Sequence, residues 1–374
     1  MTAGPLAGLR VLDAATLFAA PLISALLADH GADVVVLEPP GGDSFRTSPF
    51  WPVSARGKRS VTVDPDDREA LHVLVAAADV VVVNEPVRRL QRRGLDPDSL
   101  LAVNPSLVVA HVNGYGVDGP YADRPGNGTL AEAFAGLTHV TGDPDGPPVL
   151  PSVPLGDAVM ALTGAFGVLA AIHDVRSSGG SGRVVDVNPV DAMLQVVAPT
   201  VTGLLPGQQP PGRLGSGMAG AAMRGVFRSA DDRWIAASLS TPRQREDLGR
   251  LVGAPDAQGA ALKDATREWM RRHLRAEALD RLVAARLPAA PVNDAGDVAA
   301  DPHLRARGAL RTVRTPDGDE IALPSPAPRT VGAPPTRTST LAAPGEHTTQ
   351  VLEEWARAEP TPAPDGAQPN VAGP

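Results

Sequence analysis

One acidic residue, Asp157, lies near the beginning of a long segment that is otherwise apolar. An ionised carboxylate in such surroundings needs backbone N–H donors or a cation as partners. Two interpretations follow from the sequence. As a structural residue, Asp157 caps the N-terminus of a helix. As a functional residue, it is a nucleophile or base at the mouth of an apolar pocket, where loss of solvent raises its reactivity.

Basic side chains form two clusters that are candidates for binding an anion. Guanidinium and ammonium groups bind phosphate, but the same residues also suit a solvated loop and a solvated helix face, and both interpretations stay open. In chain order the clusters are Arg56, Lys58 and Arg59, followed by Arg88, Arg89, Arg92 and Arg93.

The composition limits the remaining chemistry. The 374-residue chain has no cysteine, which excludes a disulfide scaffold, thiol catalysis and a Cys-ligated metal site. Its eight histidines are scattered without an H-E-x-x-H pattern, so we expect no metal site. The stretch Gly215–Gly220 matches G-x-G-x-x-G, but no predicted strand precedes it, which favours a flexible loop over a dinucleotide site. A net charge of −8 argues against nucleic-acid binding.

Short branched runs alternate with helical patterns in the first third of the chain, which predicts an α/β fold. Runs that are apolar on both faces indicate a parallel sheet covered by helices. Ligands bind at the carboxyl ends of such strands, here the loops after Asp13, Glu38, Asn84 and Asn113. The predicted strands are Leu9–Leu12, Asp33–Leu37, Val80–Val83, Leu107–Val112 and Arg183–Val187, and the predicted helices include Pro21–His30, Asp67–Ala78 and Leu155–Asp174.

The N-terminal residues lack the basic and apolar regions of a signal peptide. The longest apolar run, Ala158–Ile172, contains two glycines and is shorter than a membrane span. The sequence therefore predicts a soluble, cytoplasmic protein without a membrane partner.

A series of short motifs, each weak alone, occurs in a consistent order over nearly the whole chain. In this order they resemble the family III CoA-transferases, a group that includes formyl-CoA transferases, carnitine CoA-transferases and α-methylacyl-CoA racemases. The motifs that carry the resemblance are residues 5–13, 27–34, 42–46, 56–60, 113–116, 119–126 and 141–148, then Asp157, and residues 167–171, 182–187, 301–304, 306–308 and 345–348.

The resemblance implies an acyl-CoA:carboxylate CoA-transferase in which Asp157 is the nucleophile. The carboxylate would attack the donor thioester to form a mixed anhydride, and the released CoA thiolate would convert this to an aspartyl-CoA thioester. A second anhydride would then pass CoA to an acceptor carboxylic acid. Such an exchange needs no metal and no permanently bound cofactor, only a coenzyme A thioester as co-substrate.

The resemblance also implies the ligand contacts and the assembly. The substrate would lie near Gly126 and Asn127, and the chain would form an interlocked homodimer. Coenzyme A would contact Asn84, Arg92, Val63, Lys58 and Arg59.

Composition and resemblance together predict the domain organisation. Residues 1–202 form the N-terminal part of a Rossmann-like large domain, and the Gly/Pro-rich residues 203–225 are a linker or mobile loop. A smaller α+β middle domain covers 226–324, and residues 325–358 return to the large domain. Residues 359–374 are predicted to be disordered.

Four positions depart from the family pattern. Glu85 and Asp66 place acids where the family contacts CoA, which is unfavourable for phosphate unless neighbouring arginines compensate or the thioester is on a carrier. Asn127 and Gly128 replace the histidine and aspartate of the racemases. Because an amide does not exchange protons near neutral pH, racemisation is disfavoured. A 2-substituted acyl-CoA racemase or isomerase, and a divergent binding protein without turnover, are the alternatives.

Overall fold

The computed structural model describes residues 4–64, 67–204, 207–218, 220–221, 223–331 and 341–358. Its strands are β1 Arg10–Asp13, β2 Asp33–Glu38, β3 Lys58–Thr62, β4 Val80–Val83, β5 Val108–Val112, β6 Arg183–Val187, β7 Met223–Arg228, β8 Trp234–Leu239, β9 Ala289–Pro291, β10 Leu310–Arg314 and β11 Glu320–Pro324. Its α-helices are α1 Ala19–Asp29, α2 Trp51–Ala55, α3 Arg68–Ala77, α4 Val87–Arg93, α5 Pro97–Val103, α6 Gly128–Phe134, α7 Leu137–Val140, α8 Leu155–Ser177, α9 Pro189–Thr202, α10 Pro242–Leu251, α11 Gly259–Arg271, α12 Arg275–Ala284, α13 Ala295–Ala300, α14 Pro302–Ala306 and α15 Thr348–Ala356.

The chain forms two compact units, and the first is built from three stretches of sequence. The first stretch ends at Ala135, the second runs from Pro151 to Ala198, and the third begins at Ala306. The hairpin of β10 and β11 therefore lies in the first unit, whereas the sequence analysis placed it in the middle domain. The predicted tail, 359–374, lies outside the described residues.

The first unit contains a six-stranded sheet in the order β3-β2-β1-β4-β5-β6. All its strand pairs are parallel. Helices cover both faces, so central strands bury every side chain, as the four valines of β4 do. The predicted α/β class with a parallel sheet is confirmed.

Strand β3 is the main element that the sequence analysis missed, because residues 56–60 were interpreted as a loop. Its sequence is polar, yet Lys58 and Ser60 are buried. Lys58 Nζ lies 2.5 Å from Asp13 Oδ2 at the end of β1 and 2.6 Å from the Pro21 carbonyl oxygen. A polar strand is stable here because distant residues satisfy its buried groups.

The edge strand β3 is covered by the end of the chain. The backbone N–H groups of Ser60 and Thr62 donate to His347 Nδ1 and Thr348 Oγ1, at 3.3 and 3.0 Å. Helix α15 then packs against α3 and buries Trp355 in the same core as Leu74. The C-terminal segment thus completes the first unit.

Helix α8 is the longest helix in the described part of the chain, at 23 residues. By length and composition it is apolar enough to cross a membrane, a property that it shares with core helices of soluble proteins. It packs against α1, and a Cβ atom at Gly164 would lie only 2.7 Å from Ile23 Cδ1. The opposite side is exposed, with Phe166 at 75%.

The second unit contains residues 136–150 and 199–305. Its antiparallel sheet has the order β7-β8-β9, and Phe227 and Ile235 from this sheet pack with Leu262, Met270 and Leu282 from the helices. This is an α+β arrangement. Strand β7 begins within the predicted loop 203–225, and the described residues 207–218 contain turns without a helix or strand.

Candidate active site

Asp157 lies in the first turn of α8, but it does not cap this helix. The N-cap residue is Pro154, which makes no side-chain capping bond. The Asp157 carboxylate instead accepts a hydrogen bond from the backbone N–H of Gly128, the first residue of α6, with 3.1 Å between N and Oδ1. The capping interpretation is therefore wrong, and the carboxylate faces a second helix.

Two glycines allow the beginnings of α6 and α8 to touch. A Cβ atom at Gly128 would lie 2.3 Å from the backbone nitrogen of Asp157 and 2.5 Å from its Cγ. A Cβ atom at Gly156 would lie 2.4 Å from the carbonyl oxygen of Gly128. No side chain fits at either position without moving backbone. The sequence analysis noted Gly128 only as a departure from the racemases.

A second carboxyl group, Glu132 of α6, lies beside this contact. Its side chain is 1% exposed, and Oε1 accepts the backbone N–H of Gly156 at 2.8 Å. The sequence analysis missed this residue. An Ala-Glu-Ala stretch in a short helix is typical of a solvated face, so the sequence contains no signal that could have identified it.

The surroundings of Asp157 favour the uncharged carboxyl group. Burial is the main cause that raises its pKa, and the charge of Glu132 raises it further, while the hydrogen bond from Gly128 opposes both. The carboxylate is half-buried. A partly desolvated carboxylate with a raised pKa is a stronger nucleophile than one in water.

The two predicted substrate residues lie next to this contact. Asn127 is the N-cap of α6, and its Oδ1 accepts the backbone N–H of Leu130 at 3.0 Å. Gly126 packs directly on Gly114 and Tyr115, since a Cβ atom would lie 2.9 Å from atoms of both. The side-chain amide of Asn127 therefore begins the helix that donates to Asp157.

Aromatic rings lie beside Gly126. Tyr115, Tyr121 and Phe134 meet edge to face, with ring centroids 5.4 to 6.1 Å apart. The guanidinium carbon of Arg124 lies 3.7 Å from the centroid of the Tyr121 ring. Within the described ranges, no carboxylate pairs with Arg124.

The residues predicted to contact coenzyme A lie in different environments. Asn84 follows β4, and its side-chain amide pairs with both backbone groups of Thr16, accepting the N–H at 2.9 Å and donating to the oxygen at 2.8 Å. It therefore fixes the loop after β1. Val63 follows β3 and is half-buried, and Arg92 is exposed on α4.

The cluster of Arg56, Lys58 and Arg59 is not an open basic patch. Arg56 pairs with Asp29, and Lys58 with Asp13, both in buried ion pairs. Arg59 pairs with Asp33 and Glu354 at 2.6 Å each. Burial lowers the pKa of Lys58 although Asp13 opposes this effect. Carboxylates within the fold thus neutralise these cations. Lys58 and Arg59 can contact coenzyme A as predicted only if their ion pairs break.

The acids that replace family residues differ in their accessibility. Glu85 is buried and pairs with Arg89 and Arg93 of α4, at 3.2 and 3.0 Å. Its charge is thus neutralised locally, and Arg92 stays exposed. Asp66 lies outside the described residues.

An open pocket lies at the carboxyl ends of β1 and β2. Its walls include Thr16, Trp51 and the ion pair between Glu38 and Arg46. Burial would raise the pKa of Glu38, but hydrogen bonds from Arg46 and Ser60 outweigh it, so its pKa is lowered. The pocket lies among the loops in which the sequence predicted ligand binding.

No cluster of three potential metal ligands occurs among the residues that the structure describes.

Comparison with known proteins identifies the family of this chain. The family model of CoA-transferase family III matches residues 6–348. The chain belongs to CoA-transferase family III. The resemblance noted from the sequence is thus confirmed, and with it the assignment of the chain as a CoA-transferase.

Two relatives of this family III enzyme carry names that state a reaction. The chain is 34% identical to the beta subunit of succinyl-CoA–L-malate CoA-transferase of Chloroflexus aurantiacus, with 94% of both chains covered. It is 32% identical to succinyl-CoA:mesaconate CoA-transferase of Haloarcula hispanica, over 94% of this chain and 96% of the relative. Both names describe transfer of CoA between a thioester and a carboxylic acid.

A solved structure agrees with the fold of this family III chain. A CaiB/BaiF family protein from Brucella suis superposes with a TM-score of 0.83 at 28% identity. The match covers 95% of this chain and all of the other. The overall fold of this chain is thus shared with a solved structure.

We predict that Gly128→Ala lowers kcat by about 100-fold or more, because the added Cβ displaces Asp157 by a large fraction of an ångström. Steady-state CoA transfer from an acyl-CoA donor to a carboxylate measures this effect. Gly146→Ala is the matched control, since its Cβ would lie 3.4 Å or more from neighbouring atoms. Equal activity of Gly128→Ala and Gly146→Ala would contradict the close contact.

Proposed function

We propose that this chain is an acyl-CoA:dicarboxylate CoA-transferase that works through an aspartyl-CoA thioester on Asp157. The observation that carries the proposal is the partly desolvated carboxylate of Asp157, which accepts a hydrogen bond from the N–H of Gly128. The reaction class comes from the family, and the dicarboxylate class from the names of the relatives.

The proposed reaction begins with attack of an Asp157 oxygen on the thioester carbonyl carbon. The C–S bond breaks, coenzyme A leaves as the thiolate, and a mixed anhydride remains. The thiolate attacks the aspartyl carbonyl carbon, which releases the donor carboxylate and forms aspartyl-CoA. The acceptor carboxylate displaces the thiolate in the same way, and final attack of the thiolate on the acceptor carbonyl restores Asp157.

None of these steps moves a proton, which agrees with the side chains around Asp157. Asn127 is engaged as a helix cap and Gly128 has no side chain, so neither supplies the second base of a racemase. The backbone N–H of Gly128 is positioned to stabilise negative charge on the aspartyl oxygen when nucleophiles attack its carbonyl carbon. These features favour transfer over racemisation.

Trapping of the enzyme adduct tests the proposal. Incubation with succinyl-CoA followed by hydroxylamine or borohydride is expected to modify Asp157, as located by mass spectrometry of peptides. Asp157→Asn keeps an oxygen acceptor for Gly128, and we expect it to lose at least about 10³-fold in kcat. An unmodified Asp157 in an enzyme that turns over, or full activity of Asp157→Asn, would contradict the mechanism.

The Asp157→Asn variant also has a predicted stability. A carboxyl group whose pKa is raised by folding destabilises the fold once the pH exceeds its unfolded value of about 3.8. The uncharged amide removes this cost at neutral pH. We therefore expect the Tm of Asp157→Asn at pH 7 to equal or exceed that of the wild type, which separates chemical inactivation from unfolding.

The distal carboxylate of a dicarboxylate needs a cation, and we propose Arg124 for this role. It is exposed, lies two residues before Gly126, and is oriented by the Tyr121 ring. Arg124→Gln is expected to raise the KM for malate or mesaconate about tenfold and to leave the KM for a monocarboxylate of similar length unchanged. Equal effects on both acids would contradict a specific carboxylate contact.

We propose that the enzyme is an interlocked homodimer, the assembly that the resemblance implied. The exposed side of α8 supports an interface, since Leu162, Phe166 and Leu169 are 57, 75 and 39% exposed. Sedimentation equilibrium is expected to give twice the chain mass of 38.5 kDa, and a monomer that is active would contradict the assembly. The cytoplasmic location stays a prediction.

A further inference from the structure

We infer that Glu132 is a positioning residue of the transfer reaction, whose carboxylate anchors the beginning of α8 and whose negative charge promotes acylation of Asp157. This inference rests on the proposed function, because it assumes that Asp157 is acylated. Its support is the contact between α6 and α8, the oxygen of Glu132 that makes no hydrogen bond, and the loss of charge on Asp157 in the proposed reaction.

The two acids form a reciprocal pair across the helix contact. Glu132 of α6 accepts the N–H of Gly156, which lies in the first turn of α8. Asp157 of α8 accepts the N–H of Gly128, which begins α6. Each helix therefore supplies a carboxylate that accepts a backbone N–H at the beginning of the other helix. A change at Glu132 acts on the same contact that orients Asp157.

The hydrogen bond to Gly156 uses only one of the two oxygens of Glu132. Oε2 is buried and, among the described residues, has no hydrogen-bond partner. A glutamine at this position would satisfy Gly156 equally well and would avoid a buried charge. Compared with a glutamine, Glu132 thus adds a negative charge beside Asp157 but no further hydrogen bond.

That charge acts on Asp157 in a direction that favours the proposed chemistry. Two nearby carboxylates repel each other, and this repulsion ends when Asp157 becomes an anhydride or thioester, since both are uncharged at the aspartyl group. Glu132 therefore destabilises the free carboxylate relative to the acylated enzyme. The rate of acylation and the amount of aspartyl-CoA at steady state both rise as a result.

No other ionisable group takes this role within the part of the chain that the structure describes. Among the described residues, Glu132 is the one whose charge raises the pKa of Asp157, although α1, β5 and β6 also pack against α8. The ionisable group of α1 is Asp29, which pairs with Arg56 and Arg311. Strand β5 carries His111, and β6 carries Arg183 and Asp186.

Glu132→Gln tests the inference because it removes the charge and keeps the acceptor for Gly156. We expect kcat/KM to fall about three- to tenfold, the acid limb of the pH profile of kcat/KM to move to lower pH, and less Asp157 adduct to be trapped. The Tm should stay close to that of the wild type. Glu132→Ala loses the hydrogen bond as well, and its Tm should fall.

Asp96→Asn is the matched control. Asp96 is another buried carboxylate of the same unit that accepts an N–H at the start of a helix, α5. It should change neither the pH profile nor the adduct. If Glu132→Gln keeps the wild-type profile and adduct yield, the inference is wrong. If the wild type itself gives no adduct at Asp157, the proposed function fails instead, so the two failures are distinguishable.

Discussion

The close approach of two backbones, at Gly128 and Gly156, is the constraint on which the active site depends. Two helices meet this closely only where neither carries a side chain, and here the contact places a backbone N–H directly against the Asp157 carboxylate. Hydrogen bonds from backbone are fixed by the fold and do not need to be ordered during the reaction. The reactivity of Asp157 therefore depends on the packing of the helices as much as on the residue itself.

The rest of the first unit holds α8 at the position that this contact requires. Gly164 lies two turns further along α8 and allows the helix to pack tightly against Ile23 of α1 and Val187 of β6. The parallel sheet fixes α1 in turn, through the buried Lys58–Asp13 ion pair beneath the α1 N-terminus and the hydrogen bond of Lys58 to Pro21. A basic cluster that resembles a ligand site in the sequence is thus part of the scaffold.

The sequence predicted the elements that have a local pattern of side chains. It did not predict the buried polar residues whose partners are distant in the sequence. The valines at 80–83 predict a buried strand from their own chemistry, and Asp157 is conspicuous in its apolar segment. Strand β3 was missed because its polar side chains are satisfied by Asp13 and Glu38, which no local pattern reveals. Glu132 was missed for the same reason, since its burial exists only once α6 and α8 are packed together.

The cover over β3 has a consequence for how the protein is made. On the side of this strand that faces away from β2, the N–H groups of Ser60 and Thr62 donate to His347 and Thr348, residues that leave the ribosome long after the strand itself. Until then the edge is an open template for pairing with another chain. During synthesis of this enzyme the growing chain therefore needs protection from aggregation until its C-terminal segment is complete. A chain that ends before α15 would leave the edge of β3 uncovered.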